Sequence, residues 1–133
     1  MKLHNPPLLA AGLSGAAAVA AGAYGYHDLA ADEAARDVFM IGVQYHAWHA
    51  LALLATAWLA DNRPDRGRRW ALVAAAAFIA GTVMFSGTLY VFAITGDVPI
   101  AGAAPVGGIT FVFGWLILAV LAFGRGNERS NSS

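Results

Sequence analysis

Four intervals of this chain contain no Asp, Glu, Lys or Arg: Leu3–His27, Val38–Ala60, Trp70–Gly96 and Val98–Gly124. Each exceeds the roughly 20 residues that a helix needs to cross the hydrocarbon of a bilayer. That pattern constrains the fold more than any motif does. A water-soluble four-helix bundle needs a polar face on every helix. Charged residues make up only 12% of the 133, and hydrophobic ones 59%, against roughly 25% charged in soluble domains. The polar residues are too few to cover four outer faces, so the bilayer must be the solvent.

The expected fold is therefore all-α: one four-transmembrane-helix bundle over residues 1–124, followed by a polar tail, 125–133. The helices are expected at about 7–26, 38–59, 70–94 and 105–123, from the apolar runs and their breakers. Pro6-Pro7 suits a helix start, because first-turn N–H groups have no intrahelical partner. The first run has a basic residue before it and small residues after it, as a signal peptide does. It is longer than a signal core and is read as a retained helix. Asp28 is the expected N-cap of a short amphipathic helix between helices one and two, with Asp32 and Arg36 paired at i,i+4. Asp61 to Arg69, with Pro64 and Gly67, reads as the clearest loop.

Lys and Arg are distributed unevenly. Lys2, the four arginines of the second loop, Arg125 and Arg129 fall on one side, and only Arg36 falls on the other. The positive-inside rule then predicts cytoplasmic N- and C-termini in a cell inner (plasma) membrane. A net charge of zero offers nothing to nucleic acid, and the absence of Cys excludes disulfides and thiolate chemistry.

Gly42-Val-Gln-Tyr-His-Ala-Trp-His49 is costly for a membrane span, since it carries Gln44, His46 and His49 into the apolar slab. Entering from outside at Val38, helix two puts His46 roughly 12 Å down and His49 near the midplane. One face presents Gly42, Tyr45, His46 and His49, while Gln44 points well away and needs another partner. Helix three carries Thr82, Ser86 and Tyr90 at i,i+4,i+8, a polar stripe whose Ser86 and Tyr90 lie at depths comparable to Gln44 and His46. His27 ends helix one at the outer surface. The candidate polar pocket is thus His27, Gln44, Tyr45, His46, His49, Ser86 and Tyr90, in the outer half of the bundle. Ser14, Ala18 and Gly22 form a row of small residues on helix one, beside Gly15. Together with Gly87, Gly107, Gly108 and Gly114 they are expected to serve close helix packing. Tyr24, Tyr26, Trp58 and Trp70 are expected as interfacial anchors. His46 and His49 supply only two metal ligands, and no carboxylate shares their depth, so no metal site is expected. No catalytic set at one depth emerges.

Four blocks in order give the chain a family likeness: Gly22-Ala-Tyr-Gly-Tyr-His27, Gly42 to Ala52, Phe85-Ser-Gly-Thr-Leu-Tyr90, and Ala104-Pro-Val-Gly-Gly108 with Gly114-Trp115. In these it resembles the YgdD/transmembrane-protein-256-like family of small integral membrane proteins. The first block departs from the usual family pattern, with Tyr26 in place of a small residue before His27. The resemblance implies a four-helix membrane protein and marks His27, Gln44, Tyr45, His49, Ser86, Gly87, Tyr90, Pro105 and Gly107 as motif positions. It implies no activity.

The expected function is that of a small non-enzymatic membrane protein, acting by helix packing with itself (a homo-oligomer) or with a membrane-protein partner, in contact with the lipid bilayer. No cofactor is expected. The histidines keep a second reading open, a haem, quinone or lipid site in electron or proton transfer. A small-solute transporter or channel subunit is weaker, because there is no internal repeat and no broken helix.

Overall fold

The computed structural model describes residues 4–29 and 31–123. Lys2, Arg125 and Arg129, and with them the polar tail, lie outside the described residues. The described residues form four helices: α1 (Pro6–His27), α2 (Glu33–Asn62), α3 (Asp65–Thr95) and α4 (Ala103–Leu121). All four are long and apolar enough to cross a membrane. Large apolar side chains are exposed on every helix, among them Leu13, Val19, Leu51, Val83, Ile109 and Val120. Such a surface suits lipid, and the protein is a multi-pass membrane protein.

The ends follow local chemistry. Asn5 caps α1: its side-chain oxygen accepts from the Leu8 N–H at 2.9 Å, and Pro6 and Pro7 fill the first turn. The Asn5 amide also donates to Asp61 at 2.7 Å, tying the start of α1 to the end of α2. Asp28 is not an N-cap. Its N–H closes the last turn of α1 on the Tyr24 carbonyl, and Asp32 caps α2 by accepting from Ala35 N–H at 3.0 Å. The separate short helix expected before α2 does not form. Nothing between Asp37 and Val38 breaks a helix, so the acidic stretch becomes the first turns of α2. Arg36 accordingly pairs with Asp37, at 3.8 Å, rather than with Asp32.

The second loop is also shorter than its composition implies. Only Arg63 and Pro64 lie outside helix, and Gly67 sits within the first turn of α3. The α3–α4 connection turns at Gly96 (φ 76°) and Gly102 (φ 81°), left-handed positions that suit glycine. Helix α4 starts at Ala103, two residues ahead of Pro105, which its first turn accommodates.

Helix α1 packs on α2, α2 on α3, and α3 on α4, which leaves α2 and α3 central. The core joins Leu53 of α2, Ala74 and Phe78 of α3, Phe111 and Ile117 of α4, and Ala11 of α1. Gly107 lets α4 approach the α3 backbone: a Cβ there would lie 2.6 Å from the Phe85 nitrogen. Gly114 likewise makes room for the Phe78 ring.

Candidate functional site

The polar side chains form two hydrogen-bonded chains, both built on α2. In the first, His46 is held from two sides. Its Nε2 lies 2.9 Å from Ser14 Oγ of α1, and its Nδ1 lies 3.1 Å from the Tyr90 hydroxyl of α3. Gly42, one turn before His46, makes this possible. A Cβ at Gly42 would lie 2.9 Å from the Tyr90 ring, so only a glycine lets that ring lie against α2. Phe39 then covers it, with ring centroids 4.5 Å apart.

In the second chain His49 is the hub. Its Nδ1–H donates to the Tyr45 carbonyl at 2.6 Å, and its Nε2 accepts from the Trp115 indole N–H of α4 at 3.2 Å. The Phe111 ring lies parallel to the imidazole, with centroids 3.4 Å apart and planes 6° from parallel.

These partners dictate protonation. A carbonyl only accepts and an indole N–H only donates. His49 is therefore the neutral Nδ1–H tautomer, and neither of its nitrogens is free for a metal or for haem iron. His46 is different, because each hydroxyl beside it can donate or accept by rotating. Either neutral tautomer, or the imidazolium, keeps both bonds.

The remaining site residues divide. Tyr45 lends its carbonyl to His49 and its ring to Phe85, at 4.7 Å. Ser86 is fully buried, and its hydroxyl has no hydrogen-bond partner among the described residues. Its stripe neighbour Thr82 bonds instead to its own helix, at the Phe78 carbonyl. His27 is exposed at the end of α1, edge-on to Tyr26, and takes no part in either chain. Gln44 is exposed too and enters none of these bonds.

Of the small residues, Ala18 is buried, while Gly22 makes only ordinary contact with Val43. Gly15 and Gly87 have open space where a side chain would be, and Gly108 nearly so. Ser14 is a bonding residue as well as a small one. Sequence reasoning had no role for Phe111, and it used Trp115 only as part of a motif. Their i,i+4 spacing on one face of α4, with an indole N–H far from either helix end, was the signal. Among the described residues no three His, Asp or Glu side chains converge as metal ligands.

The fold and this core define a small four-helix integral membrane protein whose two interior histidines bond α2 to the other three helices. Residues 21–108 match the family model described as a protein of unknown function, DUF423. The chain belongs to that family. It is 39% identical to the UPF0382 membrane protein YwdK of Bacillus subtilis, over 79% of this chain and 85% of that one. It is 38% identical to the UPF0382 inner membrane protein YgdD of Escherichia coli K12, over 85% and 86%. A UPF0382 membrane protein of Haemophilus influenzae is 32% identical over 91% and 96%. No solved structure matches the chain.

Proposed function

We propose that this protein is a non-enzymatic assembly component of the inner membrane, and that its polar core is a latch between its own helices. One observation carries this reading: all four ring nitrogens of His46 and His49 are bonded within the bundle. A core committed to itself leaves the lipid-facing surfaces to meet partners. In the proposed topology both termini lie in the cytoplasm. Arg63, Arg66, Arg68 and Arg69 at the α2–α3 end, against Arg36 alone at the other, support that orientation. The name of the Escherichia coli relative supports the inner membrane.

Native mass spectrometry after gentle release tests the function. Bare oligomers are expected. A stoichiometric extra mass that disappears in His46→Ala or His49→Ala would overturn the latch. Reporter fusions at residues 30 and 64 test the orientation: the first should report the outside and the second the cytoplasm.

A second reading has one observation in its favour. His46 alone lies between two rotatable hydroxyls, an arrangement that can hand a proton from one ring nitrogen's partner to the other's. Proton flux in proteoliposomes that is lost in His46→Phe would raise this reading above the first.

A further inference from the structure

The latch leaves out the carboxamide of Gln44. Gln44 lies six residues into the charge-free run that begins at Val38, about 9 Å below its edge, deeper than its short stem reaches. Its carboxamide faces out of the bundle and enters none of the internal hydrogen bonds. A donor and acceptor facing hydrocarbon is costly unless something pairs with both. Several other polar side chains of the spans are already bonded, and Ser86, which is not, is buried inside the bundle and does not face lipid. Thr110 of α4 donates to the Val106 carbonyl at 2.8 Å and Thr82 to the Phe78 carbonyl, and Ser14 is paired with His46.

The residues around Gln44 are arranged as a seam. Ile41, Gln44, Trp48, Leu51, Ala55 and Trp58 are all exposed on α2. They alternate at three- and four-residue intervals, the spacing with which two helices wind about each other. A stripe of that kind exists on the outer side of any helix. What sets this one apart is the unpaired amide in its upper half.

We infer that α2 is the face on which a second copy of this chain docks, with the Gln44 amides of the two copies bonded to each other in the upper half of the contact. The argument for a second copy is self-complementarity. Two copies inserted with the same topology run parallel, so each residue meets its own counterpart at equal depth. A carboxamide is both donor and acceptor, and two of them across a two-fold axis satisfy each other. A single polar residue in an apolar seam also sets register, which suits one Gln among aliphatic and aromatic neighbours. This inference rests on the assembly reading and names the surface it uses.

The chain has no Cys, so single cysteines can be introduced without background. Ile41→Cys and Leu51→Cys sample the seam. Val19→Cys, Val83→Cys and Ile109→Cys sample positions on α1, α3 and α4 that are at least as exposed. Oxidation in native membranes should give disulfide dimers from the two α2 positions and not from the other three. In the Ile41→Cys background, Gln44→Leu should weaken dimerisation about fivefold to tenfold, the worth of an interhelical amide pair, while Gln44→Asn should retain most of it. Crosslinks from Val19, Val83 or Ile109 instead of α2 would overturn this face and leave assembly standing. Crosslinks at α2 that ignore Gln44→Leu would overturn the amide pair. No crosslink anywhere, with a monomeric native mass, would sink both the face and the assembly reading.

Discussion

His46 and His49 sit three residues apart on one helix, yet their surroundings give them opposite chemical freedom. His49 is pinned between a group that only accepts and a group that only donates, with the Phe111 ring flat against it. His46 rests between two hydroxyls, each of which can reverse its role. The difference comes from the neighbouring helices. Helix α4 offers an aromatic wall and an indole, while α1 and α3 offer alcohols. An imidazole in a membrane protein is thus specified by what faces it more than by its own depth.

The firmest way to break the comparison is at His49. His49→Phe keeps an aromatic ring against Phe111 but leaves the Trp115 N–H without its acceptor. Trp115 is half exposed toward lipid rather than water, and leaving a donor there without a partner costs about 1–3 kcal/mol. Unfolding in mixed detergent should register that loss. Adding Trp115→Phe should recover part of it, so that the double variant is less damaged than the two single effects summed. Strict additivity would mean that the 3.2 Å bond carries no energy.

Gly42→Ala comes next. The new methyl would press on the Tyr90 ring, and overpacking of this kind costs about 1–3 kcal/mol. Because Gly42 touches the His46 chain alone, the nitrogen NMR signals of His46 should move and those of His49 should stay. A variant with both changes, Gly42→Ala and Tyr90→Leu, should lose less than Gly42→Ala by itself if the ring is the obstacle. Equal movement of both histidines would show that the two chains are one network.

Much of this arrangement was legible from the residues. Charge-free runs announce spans because hydrocarbon tolerates little else, and a glycine one turn before His46 hints at a close neighbour. The caps were less legible. Asp28 and Asp32 both precede apolar sequence, and the choice between them depends on how far α1 runs, which its own packing against α2 decides. The missing interfacial helix has a similar cause: composition marked Asp28 to Asp37 as a separate unit, but no residue there stops helix α2. Trp115 was hidden for another reason. Within an apolar run it counts as hydrophobic, and its single N–H becomes a demand only when an acceptor is placed beside it. Gln44 was readable as a misfit on its own helix. Its companion stripe emerges only once the buried faces are known.

The smallest predicted effects test whether His46 is as free as its partners suggest. Tyr90→Phe removes the hydroxyl at Nδ1, and Ser14→Ala removes the one at Nε2. Each deletion should cost about 0.6 kcal/mol, the usual worth of one interhelical hydrogen bond in a membrane bundle. The small size follows from the remaining hydroxyl, which can rotate so that His46 keeps one good bond in whichever tautomer survives. Removing both should cost more than the sum, because the ring then has no side-chain partner and its two polar nitrogens face an apolar interior. Thermal melts of the three variants measure this directly. A large loss from either single change would mean that His46 is pinned as tightly as His49, and that the contrast between them lies in packing and not in proton freedom.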